Sequence, residues 1–185
     1  MWAYDGHQRP DFASAPGPGQ ESVWDYPRPP KLAPDRRLVK VYDFKRIVAH
    51  SNGTYRVLET ASPPSFYIPP EDVNWDLLMA GPGSSVCEWK GIAKYWTLWS
   101  NPRSGIIGWG YPEPRSAFEK IRDYISFYPA SLACYVAGER VRAQAVCFFL
   151  TMAIKSWYLQ RPRQRGFFYF RPRDGPNGEI EDDRR

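Results

Sequence analysis

The sequence predicts a mainly β protein, a single small domain of antiparallel strands with one short helix near residues 116–128. Three observations carry that expectation. The 19 prolines and 14 glycines among 185 residues break up long helices. The 8 tryptophans and 12 tyrosines favour strands, where flat rings pack on a pleated surface. Apolar residues recur with period two in short runs bounded by turn signals.

The elements follow in order. Residues 1–23 are rich in Pro, Gly, Ser and Ala without periodicity, and read as a disordered arm. "WDYPRPPKLAP", Trp24 to Pro34, reads as a proline-stiffened extended segment whose rings dock on the domain. "LVKVYDF" and "RIVAH" are strands joined by a turn near Asp43–Lys45. "TYRVLET" is a third strand, and Asn52-Gly53 before it has hairpin-turn chemistry. "PPSFYIPP" is expected as a rigid loop, because its prolines lack the N–H that a sheet interior needs. "EDVNWDLL" suggests a short helical turn.

A Gly-Pro-Gly turn at 81–83 precedes "SSVCEWKGIAKYW". From Val86 the residues alternate through Trp99, which predicts a long strand. Gly91 near its middle marks a bulge or a close backbone approach, one that could divide the strand in two. On such a strand Lys90 points away from Cys87 and shares a face with Glu88 and Lys94. "GIIGWGYP" is another strand. In "SAFEKIRDYISFY" the period changes. Ala117, Phe118, Ile121, Tyr124, Ile125 and Tyr128 fall on one helical face, Ser116 and Glu119 have capping-box spacing, and Pro129 ends the run. "ACYVAGERVRA" reads as a hairpin around Ala137-Gly138.

Charge narrows the function classes. The net charge is +5, but basic and acidic side chains nearly balance up to residue 154. The excess comes from Lys155, Arg161, Arg163, Arg165, Arg171 and Arg173, followed by acidic residues from Asp174 to Asp183. The basic pI therefore says little about what the domain binds. Cys87, Cys134 and Cys147 are odd in number and widely spaced, which does not make a disulfide framework. The sequence lacks both a signal-peptide pattern and an apolar run of membrane-spanning length. It reads as a soluble, intracellular protein of the cytoplasm, with no membrane partner.

Chemistry-bearing patterns are few. A structural zinc site needs about four Cys or His ligands, usually in close pairs. The chain has three isolated cysteines and only His7 and His50. No spacing supports a carboxylate-bound magnesium at Glu59 or Asp72, and no metal or cofactor is expected. A Cys87 nucleophile would need a neighbouring base, so burial as a small apolar residue is the simpler reading. "GPGSSVCEWKG" lacks the Gly-Lys-Ser/Thr ending of a phosphate loop. Lys90 remains as a side chain that could anchor a phosphate or carboxylate, against the ordinary alternative of a solvated strand face.

"VWDYPRPP", "YRVLETASPPSFYIPPEDV", "SSVCEWKGIAKYW", "WGYPEP", "FYP" and "CYVAGERV" occur in an order and spacing that resembles domain-of-unknown-function family 427, which also carries a nucleotidyltransferase-domain label. The resemblance covers about residues 24–144. It implies a β-tent-like arrangement and a family pattern that includes Glu59, Tyr67, Asp72, Cys87, Trp89, Lys90 and Tyr111. It brings no reaction with it. Lys90 is followed by Gly-Ile-Ala, not by the x-Asp-Gly of covalent nucleotidyl transfer, and no Asp-x-Asp pair follows a Gly-Ser. After Gln144 the chain departs from the family, so 145–185 is an atypical segment, basic and then acidic. Ala137 stands where the family turn favours Asp or Asn.

Three functions follow as expectations. In the first, the domain binds or modifies a small anionic or nucleotide-like molecule in a cleft near Lys90 and Asp72. There Lys90, Asp72 and Glu59 would supply charge and acid–base chemistry, and Tyr67, Trp89, Cys87 and Tyr111 would shape the wall. In the second, it is a non-catalytic protein-interaction module. In the third and weakest, "RPRQRGFFYFRPR" stacks on and pairs with nucleic acid.

Overall fold

A computed structural model describes residue 4 and residues 6–143. Among them are eleven strands: β1 (Lys31–Asp35), β2 (Val39–Asp43), β3 (Arg46–Ser51), β4 (Thr54–Leu58), β5 (Ser65–Tyr67), β6 (Leu78–Cys87), β7 (Gly91–Leu98), β8 (Gly108–Gly110), β9 (Ile125–Phe127), β10 (Ala133–Val136) and β11 (Glu139–Arg140). They form three antiparallel sheets, ordered β1-β4-β5, β11-β10-β2-β3 and β6-β7-β8-β9. The mainly β prediction holds.

The β6–β9 sheet is the middle layer, because period two sends its neighbouring residues to opposite faces. On one face Leu78, Leu98, Ile125 and Phe127 pack with Val39, Val41, Val48, Cys134 and Val136 of the β2-containing sheet. On the other, Ala93 and Trp109 pack with Val57 and Tyr67 of the β4-containing sheet and with Phe118 and Ile121. A backbone bridge between Ile68 and Ile125 stitches β5 to β9.

Several elements match their sequence signals. The β2–β3 turn falls at Phe44–Lys45, and Phe44 takes a φ of 52° there. The β10–β11 turn is Ala137–Gly138, with φ of 51° and 81°, the paired left-handed conformation of a two-residue hairpin.

Others differ for physical reasons. Asn52-Gly53 is a corner between two sheets and not a hairpin, since β3 pairs with β2 and β4 pairs with β1 and β5. The Ser51 hydroxyl accepts from Gly53 N at 3.0 Å and sets that corner. Within "PPSFYIPP" the proline-free Ser65–Tyr67 forms an edge strand instead of a loop. "KLAPD", expected as extended chain, is edge strand β1, where Pro34 needs no ladder donor. Residues 81–83 form an irregularity inside β6, where the pairing with β7 shifts between Ala80 and Ser84, and not a turn before it.

The predicted long strand through Trp99 is a hairpin. Cys87 pairs with Gly91, and Glu88–Lys90 is the turn. Gly91 does divide the run. Its φ is +103°, and a Cβ there would lie 3.2 Å from the Glu113 carbonyl.

The short helix near 116–128 is present as a 3₁₀ segment over Ser116–Ile121, and the second half of that run is β9. Asp123 in the left-handed region, φ 62°, turns the chain between them. Arg115, not Ser116, occupies the N-cap, and no side chain caps it.

Ahead of the sheets, the segment at 21–30 straps across β4. Ala61 N donates to Val23 O and Thr60 N to Pro27 O, while the Thr60 hydroxyl donates to Tyr26 O. Arg9 pairs with Asp25, and Tyr4, Phe12 and Trp24 meet edge to face. The tail readings on residues 145–185 lie outside the described residues. No helix among the described residues is long and apolar enough to cross a membrane.

Candidate functional site

The β6–β7 hairpin turn builds the site. A three-residue turn between paired Cys87 and Gly91 frees Glu88, Trp89 and Lys90 from ladder alternation. Lys90 therefore does not stay on a solvated strand face. It folds inward and is 7% exposed, the only lysine so buried among the described residues. Its backbone is fixed as well: Arg115 N donates to Lys90 O at 3.1 Å, and Gly91 bridges Pro114.

The Lys90 ammonium sits among rings. Nζ is 5.9 Å from the Tyr111 ring centre and 5.6 Å from that of Phe118, within cation–π range of both. Its carboxylate partner is Glu59 Oε2 at 3.9 Å. That is an ion pair but too long for a hydrogen bond. No acceptor among the described residues lies within hydrogen-bond distance of Nζ.

A second cation shares Glu59. Arg28 reaches Glu59 Oε1 at 3.3 Å and Glu88 Oε1 at 2.9 Å, and its guanidinium lies 5.5 Å from the centre of the Trp89 ring. The Arg28 side chain is 11% exposed, while the Glu88 side chain is 53% exposed. Glu59, half-buried, is thus the carboxylate shared by two largely buried cations. The Trp89 indole N–H is buried and has no acceptor among the described residues.

Behind Lys90 lies a chain of polar ring contacts. Trp109 Nε1 donates to the Tyr67 hydroxyl at 2.9 Å. The Tyr67 and Tyr111 rings lie 6.3 Å apart, and the Cys87 thiol adjoins Tyr111. Burial, with the neighbouring phenols and thiol, pushes the Tyr67 and Tyr111 hydroxyls far above their ordinary range, so both stay protonated. They serve as hydrogen-bonding scaffold rather than as bases.

The sequence-predicted residues separate into groups. Lys90, Glu59, Trp89, Tyr111 and Cys87 are gathered around the hairpin turn. Tyr67 is 1% exposed and supports Tyr111 from within the core. Asp72 stands apart on the 3₁₀ turn Pro70–Asp72, beside the bridge from Val73 to Ala49, and its charge acts on Tyr124. It does not join the ion-pair cluster.

Arg28, Glu88 and Phe118 also belong to the cluster, and sequence reasoning does not assign them to it. Arg28 carries a signal, a lone cation inside the proline-rich strap "YPRPP". Among the described residues no three His, Cys, Asp or Glu side chains converge as metal ligands would.

A groove of about 740 Å³ lies between the strap and the 3₁₀ segment, and the cluster residues do not line it. One wall is Pro27, Pro29, Pro30, Lys31 and Leu32, and the other is Ser116, Ala117, Glu119 and Lys120. A shallower hollow beside β3 contains Asp72, Glu71, Ile47 and His50.

No curated protein matches the chain. A family model matches residues 31–138, which include the β6–β7 hairpin, Glu59 and Tyr111. That match spans more than half of the chain, and the protein belongs to the family described as Domain of unknown function (DUF427).

Proposed function

We propose that the protein binds a small anion, a phosphate or carboxylate group, at Lys90 with Arg28 beside it. The observation that carries this reading is the state of the Lys90 ammonium. Its side chain is largely buried while the ammonium itself keeps contact with solvent, its donors have no hydrogen-bond acceptor among the described residues, and its one carboxylate partner is shared with Arg28. Removing a cation from water is expensive unless hydrogen bonds and opposite charge replace its hydration. An anion between Lys90 and Arg28 would supply both. The buried indole N–H of Trp89 is a further unspent donor in the same cluster.

Asp72 drops out of this site, and Glu59 sets its charge. Glu59 neutralises part of the cationic pair and can pass a proton to or from a bound group. Cys87, beside Tyr111, would shape the wall.

Thermal unfolding with inorganic phosphate, pyrophosphate, small carboxylates and nucleotides tests the reading. A ligand at 100 times its dissociation constant adds about 2.7 kcal/mol. We expect such a shift with at least one anion, and its loss in Lys90→Met. Absence of any shift, or an equal shift in Lys90→Met, contradicts it.

A second reading, a protein-interaction module, has its own observation. Phe44 at the β2–β3 turn is 95% exposed, Trp99 is 61% exposed, and Arg46 donates to Ser100 next to Trp99. The Arg46–Ser100 bond brings the β2–β3 turn to the segment after β7, so the two exposed rings lie on adjoining segments that a partner could cover.

A further inference from the structure

We infer that residues 145–154, "AVCFFLTMAI", lie across the outer face of the β11-β10-β2-β3 sheet and cover its apolar end. The inference is independent of the anion site. It assigns this face to the chain's own continuation.

Register defines the face. Val39, Val41, Cys134 and Val136 are buried toward the middle layer. Period two then turns Lys40, Tyr42, Ala133 and Tyr135 to the opposite side, the outside of the three layers. Tyr42 pairs with Ala133 on one flank and with Ile47 on the other, so the three side chains form one row across β10, β2 and β3. The Tyr135 ring meets that of Tyr42 edge to face at 5.9 Å. Ile47 is 51% exposed, and Phe44, at the turn just beyond the row, is 95% exposed. Toward the other end of the face Lys40 pairs with His50. The apolar half therefore lies at the Phe44 end, where burial against another apolar surface is favourable.

The course of the chain names the occupant. Val141 N donates to Cys134 O at 2.8 Å, which carries the pairing one residue past β11, and Val141 packs against the core. β11 runs antiparallel to β10, so the chain heads for the Ala133 end of β10, beside Tyr42 and the Phe44 turn. Only β10 separates β11 from β2, a span of about 10 Å at the usual strand spacing. Residue 145 follows Val141 by four positions. The ten residues that begin there carry no charge, and nine of them are apolar. Extended, ten residues reach about 33 Å, enough to cross a four-stranded sheet. An uncharged apolar run thus starts at the rim of an exposed apolar face, and the covalent link gives each a high effective concentration of the other.

A photoreactive benzoylphenylalanine placed at position 44 of the full chain tests the inference. Phe44 is exposed, so the probe leaves the core untouched. After irradiation and trypsin digestion, we expect it joined to the peptide of residues 143–155 of the same chain. Chymotrypsin gives a second readout. Cleavage after Phe148, Phe149 and Leu150 should be at least about tenfold faster in Ile47→Asp and in Tyr42→Asp than in the wild type, because proteolysis follows the population of the uncovered state. Trypsin cleavage after Arg163 and Arg165 should be unchanged. No adduct on the 143–155 peptide, or equal chymotrypsin rates in the wild type and both variants, overturns the inference. Adducts found only between two chains overturn it in favour of a second copy on this face.

Discussion

Lys90 Nζ lies 3.9 Å from Glu59 Oε2, within ion-pair range but beyond hydrogen-bond range, with 9% of the Lys90 side chain and 24% of the Glu59 side chain exposed. A fully satisfied buried pair would close to about 2.8 Å. The long distance leaves the ammonium without a hydrogen bond to Glu59, and the effects of the two residues can be separated. Lys90→Met keeps the apolar contacts with Tyr111 and Phe118 and removes a desolvated charge. Stability should change by less than about 1.5 kcal/mol, measured by urea unfolding, while any anion response disappears.

Tyr67 tests the scaffold behind the site. Its hydroxyl accepts the Trp109 N–H at 2.9 Å in the core. Tyr67→Phe removes the hydrogen bond that this buried indole donor makes to Tyr67. Unfolding free energy should fall by about 1–3 kcal/mol. A loss near zero would mean that the indole finds another acceptor.

Gly91 tests the hairpin that delivers Lys90. Its φ is +103°, and an added Cβ would sit 3.2 Å from the Glu113 carbonyl, so Gly91→Ala meets both backbone strain and a clash. The expected loss is about 1–3 kcal/mol, together with loss of the anion response. Gly83→Ala is the comparison, since it shares positive φ but has open space around it.

Acid stability should follow the strap. Burial alone would raise the Asp35 carboxyl, but hydrogen bonds and charge from Arg37, with the charge of Arg56, hold it below the ordinary carboxylate range. Glu21 is depressed in the same way by Arg56 and Tyr26, against its own desolvation. A depressed folded-state value means that the unfolded chain binds more protons in acid. The stabilisation is then present above about pH 4 and is lost as pH falls through the folded-state values. Asp35→Asn should flatten the acid limb of a stability–pH curve. An unchanged slope would contradict this.

Thiol reactivity should discriminate two cysteines. Burial pushes the Cys134 thiol up to about 12, and the residue is 6% exposed. Cys87 is partly exposed at the end of β6. Peptide mapping after iodoacetamide treatment at pH 8 should find Cys87 labelled at least about 100-fold faster than Cys134, because only thiolate reacts. Equal rates would show that Cys134 is not shielded.

How much of the fold is readable from the sequence depends on what period two can register. The β2–β3 and β10–β11 hairpins announce themselves because alternation stops at turn residues. The β6–β7 hairpin does not. Cys87 and Gly91 are four residues apart, an even number, so the alternation keeps its phase across the turn and imitates one long strand. That conceals the inward fold of Lys90. In "SAFEKIRDYISFY" helical spacing spans a 3₁₀ segment and a strand, because Ile121 and Ile125 are both wholly buried but on different elements. Residue type and family resemblance suffice to single out Lys90, Glu59, Trp89, Cys87 and Tyr111. They do not reach Arg28 and Phe118, since only the tertiary fold brings the strap and the 3₁₀ segment to the hairpin turn.

The measurement closest to the central claim is calorimetric phosphate binding by wild type, Lys90→Met and Glu59→Gln side by side. If Lys90 is the anion anchor and Glu59 its internal competitor, the two variants act with opposite sign. Lys90→Met should weaken binding by at least about tenfold, and Glu59→Gln should tighten it by about threefold to tenfold. Wild-type affinity in Lys90→Met, or equal weakening in both variants, would contradict the account.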